Sequence, residues 1–181
     1  MTSGKFGDVE LAATQILLQF LHISSYGMDG FAFAAEVLVG QAVGKSNRFM
    51  LRDAVVKSGL WTFVIAICLA LIYALFGSFF IKIMTTSDEV ILASEAFLIF
   101  IVLGPIFGAL PFLMDGIFVG ATRAIDMRNM MFLSLIIYAV SAYLLIDLYG
   151  FYGLWLALLV SYAARGISLV IRYPKLEKSI S

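Results

Sequence analysis

LAATQILLQFLHISSYGMDGFAFAAEVLVGQAVG, residues Leu11 to Gly44, is mostly apolar, yet it carries Asp29 and Glu36 with no lysine or arginine among them. At ~1.5 Å per residue a continuous helix of this length reaches roughly 50 Å, well beyond a hydrocarbon core of ~30 Å. Cutting it at the charges leaves a second half too short to span. The expectation is therefore one long helix, bent near Gly27-Met28-Asp29-Gly30. Its polar residues fall in a row: Gln15, Gln19, His22, Ser25, Tyr26, Asp29, Glu36 and Gly40 recur at helical steps and so share one face. Such a face cannot look at lipid, because a charge at the bilayer centre costs at least ~2.5–3.5 kcal/mol. It lines either a protein interior or a water-filled cavity.

Two readings stay open for that row. Hydrogen-bonding residues hold helices together in membranes, which suits Gln15, Gln19 and Ser25. Asp29 and Glu36 have no sequence neighbour to neutralise them, and intramembrane acids mark substrate or proton pathways. Gln19, His22 and Tyr26 lie along the same face.

Composition sets the class. Apolar residues make up 62 % and charged residues 13 %, and the mean hydropathy is +1.03. This is an all-α integral membrane protein. The formal net charge is zero, so nothing argues for nucleic acid as a partner. Cys68 and His22 each stand alone, which leaves no disulfide and no cysteine- or histidine-based metal cluster. No HExxH and no serine elbow argue for an enzyme, and no cofactor is implied. The first ten residues, MTSGKFGDVE, are too short and polar for a signal peptide and read as a tail.

Further along, Lys45, Arg48, Arg52 and Lys57 outnumber Asp53 in a basic connection. Leu60–Ile81 carries no charge and is the cleanest span. Ser87 or Thr86 is placed to cap the helix that follows. That helix contains Pro105, Pro111 and Asp115, with Gly104, Gly108, Gly116 and Gly120 spaced in multiples of four, a ridge on which another helix can approach closely. The two prolines free backbone carbonyls and predict a kink. Arg165 either snorkels toward Arg172, Lys175 and Lys178, the favoured reading, or pairs with a carboxylate on a neighbouring helix, and Pro174 is expected to end the last helix. The expected spans are 11–44, 58–83, 88–122, 129–147 and 152–172, with a tail over 173–181. Lys45, Arg48, Arg52, Lys57, Arg123, Arg128, Arg172, Lys175 and Lys178 fall on one side, and Lys5 and Lys82 on the other. That asymmetry predicts an N-terminus outside and a C-terminus in the cytoplasm.

The strings SSYGMDGFAFAAEVLVGQAVGK, PFLMDGIFVGATRAIDMRNMM and GFYGLWLALLVSYAARGISL, in that order, resemble the multidrug and toxic compound extrusion (MATE) family. DGFAFAAE and DGIFVGATR are similar to its DinF branch. The resemblance implies a transporter of twelve helices in two lobes around a central cavity, working by alternating access. It implies export of small organic, often cationic, compounds against a proton or sodium gradient across the bacterial inner membrane. This chain would be helices eight to twelve, most of the C-terminal lobe, inactive alone and completed by an N-lobe. Asp115 matches the acid of helix ten that sodium-coupled members use, which makes it the candidate cation site, although Pro111 stands where those members carry a tyrosine. A lipid-linked sugar flippase of the same superfamily, or a non-transporting remnant or accessory membrane subunit, are the alternatives.

Overall fold

The computed structural model describes residues 7–180. Lys5 and the first part of the N-terminal tail lie outside them. Five helices follow one another: α1 Asp8–Gly44, α2 Arg48–Met84, α3 Asp88–Gly120, α4 Ala124–Tyr149 and α5 Phe151–Lys178. Among the described residues there is no strand. Four of the helices, α2 to α5, are long and apolar enough to cross a membrane. α1 is as long, but its polar row dilutes its hydropathy and leaves it outside that set.

α3 is the hub and touches all four other helices. More than half of its most apolar window is buried, against 6 % for α4, which lies at the edge and packs on α5. The core has two large clusters joined by a thin waist. Leu17, Phe20, Tyr73, Ile101 and Trp155 belong to the one at the acidic α2–α3 turn. Val39, Leu51, Phe118, Leu169 and Leu176 belong to the one at the basic end. Between them Met28, Ala66 and Ala109 form a small cluster, where small residues let the backbones approach. Lipid tails are as apolar as leucine, so this packing holds through van der Waals contact and hydrogen bonds rather than through water exclusion.

The connections are tighter than the sequence predicts. The stretch Lys45–Lys57 was expected as a loop, but helix α2 begins at Arg48. The Asn47 side chain accepts from the Met50 amide at 3.0 Å and caps it. α4 likewise starts at Ala124, inside the expected 123–128 loop. α1 and α3 end alike: Asn47 N–H bonds to Ala42 O at 3.0 Å, and Arg123 N–H to Phe118 O at 2.8 Å. Ser46 (φ 48°) and Thr122 (φ 57°) hold the left-handed position that closes each helix. Between α4 and α5 only Gly150, at φ 57°, stands outside a helix. Ser87 is the N-cap of α3 but makes no side-chain cap bond.

The bend expected in α1 and the kink expected in α3 both fall inside unbroken helices. α1 is continuous helix through Gly27–Gly30, and α3 through Pro105 and Pro111. Pro174 does not end α5, which runs on to Lys178. The turn beyond it is held by tertiary contacts: Leu176 and Ile180 are buried in the basic-end cluster. Arg48 donates to the carbonyls of Lys178 and Ile180, and Arg52 pairs with Glu177. A guanidinium on the exposed carbonyls of a helix C-terminus satisfies them and suits the helix dipole.

Candidate functional site

α1 turns two different faces outward and inward. Ala13, Leu17, Leu21, Met28, Ala35 and Val39 are buried against the bundle. Gln15, Gln19, His22, Tyr26 and Gly30 are exposed on the outside, with Tyr26 76 % exposed. Ser25, Asp29, Glu36 and Gly40 lie at the margin, partly buried. The polar row thus faces away from the rest of the described bundle. Nor does Ser25 hold helices together, since its hydroxyl donates to Leu21 O within α1 at 2.9 Å. The helix-to-helix bond comes from its neighbour. Buried Ser24 Oγ lies 3.0 Å from Tyr73 Oη of α2, and with one proton apiece the two hydroxyls share that contact and the Phe20 carbonyl.

The glycine ridge of α3 lies against α1. A Cβ added at Gly104 would meet Leu21, one at Gly108 would meet Met28, and those at Gly116 and Gly120 would strike the backbones of Ala32 and Glu36. The two helices run parallel, with their backbones closest at these last two pairs. Gly27 is less crowded, with Leu69 3.6 Å from its Cβ position, and Gly30 has nothing within 4 Å.

This close approach brings three charges together. Asp115, next to Gly116, is partly buried, and its Oδ2 accepts from Arg165 Nη2 at 2.5 Å. Asp29 of α1 lies within electrostatic range of Asp115. The arginine is set by packing one residue on: Gly166 presses α5 onto Leu110 and Pro111, with Pro111 Cδ 3.1 Å from its Cβ position. Pro111 is fully buried. The Arg165 and Asp115 side chains are 21 % and 20 % exposed, so snorkelling is not what Arg165 does. A charge at membrane depth costs least beside an opposite one, and here the carboxylate is within reach. Asp115 Oδ1 and Arg165 Nε are buried with no protein partner. Asp29 and Glu36 have no ion-pair partner among the described residues. No group of three or more potential metal ligands occurs among them either.

The MatE family profile matches residues 1–144. The chain belongs to the MatE family. It is 33 % identical over 165 residues to DNA damage-inducible protein F of Escherichia coli (strain K12), a match covering 91 % of this chain and 36 % of that protein. Its fold superposes on the crystal structure of the eukaryotic MATE transporter AtDTX14 with a TM-score of 0.85, at 18 % identity, over 95 % of this chain and 40 % of the other. The family is one of transporters, not enzymes. The MatE chain described here spans about a third of the length of its curated relative.

Sequence reasoning ranked a carboxylate partner for Arg165 second and did not name Asp115, and it missed two further pairings in this MatE chain, Arg172 with Asp126 at 2.5 Å and Arg52 with Glu177. The sequence did carry a signal for the α1–α3 seam. The tripeptide Met-Asp-Gly occurs at 28–30 and again at 114–116, on the two helices whose backbones meet.

Proposed function

We propose that this chain forms most of the C-terminal lobe of a cation-coupled antiporter that exports small organic, often cationic, compounds by alternating access. The observation that carries the reading is the outward polar row of α1. Gln15, Gln19, His22 and Tyr26 lie on a face that the other four helices leave uncovered, and lipid is a poor neighbour for it. A second lobe across a wet cavity is the neighbour that suits it, and transporter sites lie at such interfaces. α1 on this reading spans the membrane with the others, its uncovered face turned to the cavity. The basic end is cytoplasmic by the excess of lysine and arginine there.

Asp115 is not free to hold a sodium ion as an isolated carboxylate would, because the Arg165 guanidinium already sits on it. Asp29, unpaired and within range of that pair, is the carboxylate we assign to coupling, with Glu36 further along the same face. An organic cation arriving at Asp29 would be drawn by two carboxylates and repelled by one guanidinium, a net attraction.

The test is a chimera. The chain is joined to the preceding helices of the Escherichia coli relative, placed in liposomes, and followed with a fluorescent cationic dye under a proton or a sodium gradient. Gradient-driven dye movement is expected. Asp29→Asn should slow it at least ~10-fold, the effect of ~1.4 kcal/mol, and Asp115→Asn should weaken it without preventing membrane insertion. Parental rates in both variants would remove these residues from the pathway and the reading with them. The 181-residue chain alone should move no dye.

A further inference from the structure

A groove between α4 and α5, on the outer side of the Asp115–Arg165 pair, has no part in the pathway above. It encloses about 510 Å³, within the ~300–1,000 Å³ typical of small-molecule sites. Phe132 and Leu135 of α4 and Leu158 of α5 form apolar walls. Arg128 and Arg165 line it, and no carboxylate does. Arg128 is exposed, makes one bond to Asn129 Oδ1 at 3.3 Å, and has no acidic partner among the described residues. Arg165 gives one Nη2 hydrogen to Asp115, and its Nε is without a partner. The hydroxyls of Ser134 and Ser161 donate to carbonyls of their own helices, so the two arginines, with the Tyr138 hydroxyl beside them, are the donors left for a ligand.

A groove of this kind, with hydrocarbon walls and a donor-only cationic pole, matches an amphiphile with an acidic, acceptor-rich head. We propose that it binds an acidic phospholipid of the surrounding bilayer, the phosphate facing Arg128 and Arg165 and an acyl chain lying along Phe132, Leu135 and Leu158. Three considerations select that occupant. Guanidinium groups match phosphate oxygens in geometry and charge. Basic pockets between membrane helices are recognised sites for acidic headgroups. Phe132 and Leu135, 60 % and 59 % exposed, belong to the edge helix that the bundle leaves open. An organic cation is repelled by Arg128, and a zwitterionic lipid brings its own ammonium to the same pole. The site goes beyond the transport reading and does not depend on it.

The full chain, and separately the chimera, is reconstituted in phosphatidylcholine vesicles with a trace of photoactivatable phosphatidylglycerol or, at equal mole fraction, photoactivatable phosphatidylcholine. Adducts are located by mass spectrometry. Peptides around 130–138 and 154–165 should take the glycerol probe about five-fold more than the choline probe, as ~1 kcal/mol for one uncompensated arginine implies. Arg128→Gln, at an exposed position, should bring the two probes within about two-fold with an unchanged circular dichroism spectrum. Leu135→Trp fills the groove, keeps both arginines, and should reduce labelling by either probe. Equal labelling by the two probes in the parent overturns the proposal. So does a preference that survives Arg128→Gln, labelling indifferent to Leu135→Trp, or groove peptides in the chimera that take up neither probe.

Discussion

Gly116→Ala tests how α1 and α3 are held together. A Cβ at 116 lands on the carbonyl of Ala32 and 3.0 Å from its Cα, so the obstacle is backbone and cannot rotate aside. In isolation the change favours the helix by ~1 kcal/mol. Against that stands overpacking, which costs ~1–3 kcal/mol where side chains can adjust and more where they cannot. The helices must part, and a radial gap of ~0.5–1 Å already forfeits a quarter to a half of each dispersion contact along the seam. In a membrane those contacts are most of what joins the two helices. The expected net loss is ~1–2 kcal/mol, a factor of about 5–30 in the folded-to-unfolded ratio. Gly30→Ala is the control: nothing lies within 4 Å of its Cβ position, so it should be neutral or gain up to ~1 kcal/mol. Unfolding in mixed dodecyl maltoside and dodecyl sulfate micelles, followed by circular dichroism, ranks the two. Gly116→Ala at or above the stability of Gly30→Ala would refute the α1–α3 packing described here.

Arg165→Met strips Asp115 of its counter-charge while keeping the side-chain volume. It should destabilise by somewhat less than the ~3–5 kcal/mol of a fully buried pair, and adding Asp115→Leu should recover most of it in the same unfolding assay. Cysteines at Ser46 and Ser87, in a Cys68→Ala background, should react with impermeant reagents from opposite sides of the membrane, Ser46 from the cytoplasm. Reaction of both from one side contradicts the five-span arrangement. Truncation after Pro174 removes Leu176 and Ile180 from the basic-end cluster, Glu177 from its pair with Arg52, and the carbonyls that Arg48 bonds. It should increase proteolysis near Arg48 and Arg52, whereas a merely dangling tail would change nothing there.

Much of this MatE protein was legible in one dimension. Hydropathy and the basic loops marked a membrane bundle of five helices, because the bilayer demands long apolar runs with their backbone bonds satisfied internally. The period of α1 put its polar residues on one face, and the spacing of Gly104, Gly108, Gly116 and Gly120 marked a face fit for close approach, since helical geometry alone sets both. Periodicity says which residues share a face but not what that face meets. Only the tertiary structure decided that the ridge of α3 meets the backbone of α1 at Ala32 and Glu36, and that the polar row of α1 points out of the bundle. The same holds for Arg165, whose neighbour Gly166 seats α5 on Pro111 and so delivers the guanidinium to Asp115, fifty positions away in the chain. Pro174 fails to stop α5 for a like reason. A local rule about one missing N–H was outweighed by the burial of Leu176 and Ile180 and the arginines on the carbonyls beyond, contacts made with α2 across the bundle.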